Sequence, residues 1–526
     1  MMRRFTAFFL AALLAAFAPP VAAATFRWAH DSDIASLDPY SRNETLQLSL
    51  LGNVYEPLVR RGRALQLEPA LATGWRQVAP LVWRFELRPG VRFQDGTPFG
   101  ADDVVFSYRR AVGAGSKIAL ALAAVRDVRV VNAQTVDITT TLPDPTLPEE
   151  IVPWNIMSAA WCRTHGAEQV ADAAAADSYA ADHADGTGPF SVESRVPGEQ
   201  TVLVANPNWW GKSAGNVDRA VFRPIADSAA RLAALTTGTV DMIASVPPED
   251  LGTLAQTPGV RIVHTASTRT IVLGFRHSRT VKGQGRSPQT NPFADRRVRA
   301  AFAEAIDENA IVATVMRGLA TPAGLIVGPG VRGFDPALNQ RPNYDPAAAR
   351  RLLAAAGYPD GFALTMDCPN DRYLNDAAIC VAVAADLVKI GVRATLLAQP
   401  RSQYFTKLLD PPRGADFYLM GWRPANDDAL DALINLAATR SDRLHAGAFN
   451  VGGYSNPALD ALIARARHEN LGKGRATLLR AALALVKDDV AYIPLHQPDV
   501  VWAVRSNVAV VQRGDDTFAL RDVRMK

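Results

Sequence analysis

Between Trp83 and Arg88 apolar and charged side chains alternate: Trp83, Phe85 and Leu87 on one side, Arg84, Glu86 and Arg88 on the other. A period of two is a strand with one buried face. Pro89-Gly90 predicts a turn, Val91 and Phe93 resume the alternation, and Asp95-Gly96-Thr97-Pro98 predicts a second turn. Val105, Tyr108 and Val112 then fall at helical spacing. Gly100 is a permitted N-cap, and Asp103 suits the positive end of that helix. Strand, turn and helix in such close succession commit this region to mixed α/β structure.

The same mixture continues. Thr201–Val204, Val260–Val263 and Thr270–Leu273 read as strands. Asp295 and Asp307 are placed to cap helices, and Asp345 precedes a proline suited to the first helical position, with Gly357 placed to end that helix. The fold class is therefore α/β. The alanine-rich stretch Ala171–Ala184 reads as a surface helix or loop, and the polar stretch Ser278–Asn291 as an exposed loop. No period of about 20 to 50 residues emerges, which argues against a solenoid.

The amino terminus has the parts of a secretion signal: basic Met1–Arg4, apolar Phe5–Phe17, and an A-x-A site at Ala22–Ala24 that would make Thr25 the first mature residue. The apolar run falls short of the roughly 20 residues a bilayer needs, and Pro19-Pro20 interrupts it. With no cysteine at that site and no second apolar run of spanning length, a soluble, unlipidated mature chain is expected. A chain of about 500 residues needs two or three cores. Loss of Arg3 and Arg4 takes the formal charge from +4 to +2, which gives no argument for nucleic acid or an anionic membrane surface. Of three cysteines, Cys368 and Cys380 look like a disulfide pair in an oxidising compartment, leaving Cys162 over; three buried thiols are the alternative.

Catalytic constellations are missing from the sequence. There is no H-E-x-x-H, G-x-S-x-G or Walker A motif. None of the eight histidines has metal-ligand spacing to another, so no metal or cofactor is expected. Gly328–Gly333 matches G-x-G-x-x-G, but Phe334-Asp335-Pro336 follows where a nucleotide site would need a helix. The adjacent pairs Asp427-Asp428 and Asp515-Asp516 read as solvated or cleft-lining carboxylates. Gly421–Asp428, in contrast, mixes groups that suit capture of a small polar solute. Trp422 offers a flat apolar surface, Arg423 can pair bidentately with a carboxylate, and Asn426 and Asp427 can accept from an ammonium or amide. Trp209-Trp210 reads as packing or surface rather than ligand stacking.

Many short motifs, in order, resemble the family 5 extracellular solute-binding proteins, the dipeptide and oligopeptide receptors of ABC importers. They include Ser36–Pro39, Val54–Val59, the Pro69–Phe99 passage, Gly186–Phe190, Asn206–Trp210, Gly238–Asp241, Ala305–Asp307, Tyr344–Pro346, Gly453–Pro457 and Ile493–Gln497. The resemblance implies a two-lobed fold of the type II periplasmic binding protein kind, with an extra inserted subdomain. One lobe would comprise 25–67, 188–266 and 488–526, the insertion 68–187, and the other lobe 267–487, with crossings near Ala266 and Lys487. It also implies that Gly421–Asp428 lines the ligand cleft, and by analogy adds Asp31, Ser32 and Asp33 on one edge and Arg401 and Tyr404 on the other. One position departs from the peptide receptors: where they carry the aspartate that holds a peptide's ammonium, this chain has Ala425. Either Asp427 or Asp428 takes over, or the ligand lacks a free amino terminus. The implied function is a monomeric periplasmic receptor that captures a peptide or peptide-like solute by hinge closure and hands it to membrane permease subunits. Glutathione, an opine, a glycan or a metal chelate is the alternative cargo, and a secreted hydrolase the remote one.

Overall fold

The computed structural model describes residues 24–170, 178–277, 280–281, 289–409 and 415–526. The expected leader, Ala171–Asp177 of the alanine-rich stretch and most of the polar stretch after Ser278 lie outside the described residues. Within that polar stretch Thr280–Val281 and Gln289–Thr290 pair as a short antiparallel ladder.

Twelve strands form the main sheet: β1 (Ala24–His30), β2 (Phe190–Val196), β3 (Gln200–Ala205), β4 (Val217–Pro224), β5 (Met242–Ile243), β6 (Val260–Ala266), β7 (Thr270–Phe275), β8 (Ala320–Pro322), β9 (Ala363–Pro369), β10 (Arg393–Gln399), β11 (Phe417–Trp422) and β12 (Tyr492–Arg505). Their order is β10-β9-β11-β7-β12-β5-β1-β4-β3-β2, with β6 and β8 also pairing with β12. β1 runs parallel to β4 and β5, and β9 parallel to β10 and β11. β12 is antiparallel to every strand it touches. All six residues of β7 are buried, as an unbroken apolar run requires when both faces of a strand are covered. A Cβ on its Gly274 would lie 2.2 Å from the Tyr418 ring, so only glycine lets that ring lie across the strand.

The apolar interior divides in two. Two clusters draw on residues up to Val263 and from Val500 onward, joined by Leu319. The other two draw on Ile271 to Leu495. The chain therefore changes core twice, once just after β6 and once inside β12. The crossing expected near Ala266 falls at the end of β6. The one expected near Lys487 falls in the helix Lys473–Asp488, upstream of the second change of core.

The Trp83–Leu87 alternation forms a strand of a separate four-stranded sheet, with Phe85 and Leu87 buried. Arg84 on the opposite face makes two 2.8 Å hydrogen bonds to Asp137. The helix Ala101–Ala111 packs on this sheet, and the Asp103 carboxylate accepts from the Gly100 amide at 2.9 Å. Asp295, Asp307 and Asp345 each accept from an amide two or three residues on, capping the helices that follow them. Cys368 at the end of β9 is joined by a disulfide to Cys380 in the helix Asp376–Val388, with Cα atoms 6.6 Å apart. Cys162 is free and buried, and burial pushes its thiol up to about 12.

Candidate ligand-binding site

Polar side chains from both cores meet where β1, β7, β11 and β12 bring the two halves together. β11 ends at Trp422, whose ring lies 4.9 Å from that of Phe449 and whose indole nitrogen donates to Asp431 at 2.8 Å. Asp431 also accepts from the Ala425 amide, so it fixes the loop after β11. Burial nevertheless pushes its carboxyl up to about 6. Gly421 is tightly covered, because a Cβ there would meet the Tyr373 ring at 2.7 Å.

The loop Arg423–Asp428 reaches the other half at several points. Arg423 donates to the Asp515 carbonyl at 3.4 Å. Asn426 is buried, accepts from the Asp428 amide at 3.2 Å and donates to Glu150 at 3.3 Å. Asp427 sits in the left-handed region (φ 49°), and its carboxylate lies 2.8 Å from Arg61 Nη1. That contact is an ion pair whose angles fall outside hydrogen bonding. Burial raises the Asp427 carboxyl, and Arg61 and Arg423 oppose the rise. Asp428 is fully buried, accepts from the Leu430 amide at 2.9 Å, and holds Arg332 at 3.1 Å and Arg475 at 3.2 Å. Of the two acids considered as ammonium anchors, Asp428 is thus spent between two arginines and Asp427 faces one.

The remaining sequence candidates separate. Asp31 lies just beyond β1, 2.7 Å from His30, and accepts from the Ser32 hydroxyl at 2.9 Å. Burial acts to raise its carboxyl, but His30, Ser32 and Arg231 together hold it well below the usual carboxylate range. Asp33 points elsewhere: it accepts from the Ile34 and Gly198 amides, both at 2.8 Å, which ties it to the β2–β3 turn. Arg401 is exposed in the first turn of the helix Arg401–Leu408. Tyr404 in the same helix is 1% exposed and donates to the Leu419 carbonyl at 2.6 Å, so it is a core residue. Trp209 and Trp210 both donate to buried Glu56, consistent with packing.

Other groups at this place carried no local signal. Arg269 stands immediately before β7, anchored by its amide on the Ser267 hydroxyl at 3.1 Å. Its guanidinium lies 5.7 Å from the centre of the Tyr373 ring, and that of Arg372 lies 5.3 Å from the same ring. The Tyr373 hydroxyl donates to the Gly421 carbonyl at 3.3 Å, which fastens this group to the end of β11. Burial pulls Arg269 down to about 10, and the positive charges of Arg372 and Arg423 add to the fall. Asp516 accepts from the Trp502 indole at 3.0 Å. Beside it is a cavity of about 20 Å³ walled by Trp28, Trp502 and Phe518, room for one water. Among the described residues no group of three or more acids, histidines or cysteines is arranged to hold a metal ion, and no helix is long and apolar enough to cross a membrane.

Two cores sharing one sheet, with polar groups converging at their seam, define a two-lobed binding protein of the type II periplasmic kind. The chain belongs to the bacterial extracellular solute-binding proteins, family 5, whose family model matches residues 66–442. It is 27% identical to the glutathione-binding protein GsiB of Salmonella typhimurium, over 98% of this chain and 97% of that one. Its fold is that of HbpA2 from Haemophilus parasuis (TM-score 0.80, 23% identity, 96% of this chain and 100% of that one). It is also that of the ABC transporter-associated periplasmic binding protein DppA from Helicobacter pylori, solved with the peptide STSA (TM-score 0.74, 22% identity, 95% and 98%).

Proposed function

We propose that this protein is the periplasmic receptor of an ABC importer, exported by a cleaved leader, and that it binds a peptide-like solute between its lobes and releases it chemically unchanged. The observation that carries the reading is the set of interlobe contacts: Arg61 with Asp427, Arg423 with the Asp515 carbonyl, and Asn426 with Glu150. Groups placed to bridge the lobes give closure an energetic reason, and a solute enclosed there adds its own differential affinity for the closed state. Trp422, Arg423 and Asp31 are the sequence candidates best placed to touch it. The family's membership of binding proteins and the absence of a catalytic motif in the sequence support a receptor without turnover.

A cargo whose binding does not depend on an ammonium at the position of Ala425, drawn from the glutathione, opine, glycan or chelate alternative, is favoured over an ordinary peptide by one further observation. Ala425 offers no charge, and Asp427 and Asp428 already face arginines. An ammonium placed there would displace an existing ion pair or stay unbalanced, and an unbalanced buried charge is costly. The test is to purify the protein from its own periplasm, identify any co-purifying solute by mass spectrometry, and compare X-ray scattering of the stripped and reloaded forms. An intact solute and a smaller radius of gyration on reloading are expected. Turnover of the solute, or identical scattering with it bound, counts against the receptor reading. Intact mass of the exported chain, expected to begin at Thr25, tests the leader.

A further inference from the structure

Some arginines at the seam are paired with acids and others are not. Arg61 faces Asp427, Arg332 faces Glu149 and Asp428, and Arg513 holds Asp515. Three others converge on the end of β11 from three different elements: Arg269 before β7, Arg372 in the loop after β9, and Arg423 after β11. Among the described residues neither the Arg269 nor the Arg372 guanidinium makes a hydrogen bond or an ion pair; each lies over the Tyr373 ring. Arg423 has a single long contact, to a backbone carbonyl. The negative charge of Asp516 acts on Arg269, but Asp516 is already hydrogen-bonded to Trp502 and does not close to ion-pair distance.

Like charges held close together by a scaffold repel one another, and burial adds to the cost at Arg269, whereas Arg372 stands exposed at the edge of the group. Such an arrangement is relieved by a multiply charged anion, and guanidinium groups match carboxylate geometry bidentately. Tyr373 is the device that keeps them in place. Its ring is the shared neighbour of Arg269 and Arg372, its hydroxyl is bonded to Gly421, and the close approach at Gly421 leaves no room for a larger residue. Thr268 extends the framework, since its amide donates to the Gly514 carbonyl at 3.2 Å and so ties the chain beside Arg269 to the segment that bears Asp515 and Asp516.

We infer that the solute carries at least two carboxylates and that Arg269, Arg372 and Arg423 hold them, with no free ammonium required. This rests on the receptor reading above and names the cargo class for the same site. It also gives Arg269 and Arg372 the role of specificity determinants.

The experiment is a titration panel by calorimetry and thermal shift on the ligand-stripped full-length mature protein. The probes are trialanine, N-acetyl-Ala-Glu, N-acetyl-Ala-Gln amide, glutathione, and a broad set of neutral sugars and metal–histidine chelates. The dicarboxylates are expected to bind at least tenfold more tightly than trialanine or the neutral amide. Arg269→Gln and Arg372→Gln should each weaken the dicarboxylates by about 10- to 100-fold, the range for losing a charged hydrogen bond. Arg269→Lys should restore part of the loss, and the unliganded melting temperature should stay put. Tightest binding by a solute with no carboxylate or one, or unchanged affinity in the Gln variants, overturns the inference and leaves the receptor reading standing. Failure of every solute class to bind overturns both.

Discussion

The pair Arg61–Asp427 should act as a latch, and its strength is open to estimate. Nη1 and Oδ2 are 2.8 Å apart, and both side chains are about nine-tenths buried. Two unit charges whose centres are roughly 4 Å apart attract by about 4 kcal/mol at an effective dielectric near 20. Desolvation offsets much of that, and the angles forgo hydrogen-bond strength, so a coupling of about 1–2 kcal/mol is expected. Asp427→Asn is a clean probe, because asparagine tolerates the left-handed backbone found there. It also keeps the carbonyl that accepts from the Arg332 amide at 2.8 Å. If the pair forms only when the lobes are together, losing it lowers the closed-to-open ratio about 5- to 30-fold, and affinity for the co-purified solute falls as the closed form becomes less populated. The assay is a double-mutant cycle of Asp427→Asn and Arg61→Met on solute affinity, with scattering to follow closure. A coupling indistinguishable from zero, with wild-type affinity and scattering in both single variants, would refute the reasoning.

Two more expectations follow from the interior. Replacing Cys380 by Ser should destabilise the protein by about 3 kcal/mol on the chain-entropy account, and reductant should lower the melting temperature of the wild type and not of the variant; equal sensitivity would show that no bridge forms. Asp185 is buried, and burial pushes its carboxyl from 3.8 up to about 7. The native state therefore holds a proton that the unfolded chain gives up, and the associated stability, at most about 2–4 kcal/mol, is complete near pH 4 and lost as pH rises through 7. Asp185→Asn keeps an acceptor for the Asp95 amide, which Asp185 now accepts at 2.9 Å. The wild type should lose stability relative to that variant between pH 5 and pH 8, and parallel melting curves across this range would count against it. The opposite contribution of His277, which burial pulls down to about 4, is common to both proteins and cancels.

What the sequence made legible was whatever depends on neighbours along the chain. Phe85 and Leu87 turn inward as their period requires, Gly90 and Gly96 adopt positive φ in the turns they mark, and Asp295, Asp307 and Asp345 cap the helices that follow. The fold and family followed from the order of many such motifs. The site was legible only in its contiguous part, Trp422 to Asp428. Tyr404 was grouped with Arg401 by analogy, yet helical geometry turns Tyr404 into the core and leaves Arg401 outside. Asp428 read as a solvated or cleft-lining acid and a candidate ammonium anchor; its burial between Arg332 and Arg475, the latter 47 residues further along, is signalled by no periodicity. Arg269, Arg372 and Arg61 were passed over for the same reason. An arginine declares its role through the partner it lacks or finds, and that is settled by tertiary contact.

β12 is shared by the two cores: Tyr492–His496 pairs with β7, and Asp499–Arg505 pairs with β6. Because no slack tether joins the halves here, a change in their angle must be absorbed as torsion along a hydrogen-bonded ribbon. Pro494 and Pro498, which offer no amide to the ladder, lie where the ribbon passes from one half to the other. Adding a single residue after Pro498 would leave the upstream segment seated and reverse every side chain downstream, turning Trp502 and Val504 out of one layer and Val501 and Ala503 into it. Length is therefore more tightly constrained in this short stretch than identity is, and families of such receptors should vary in the residues that occupy it long before they vary in how many there are.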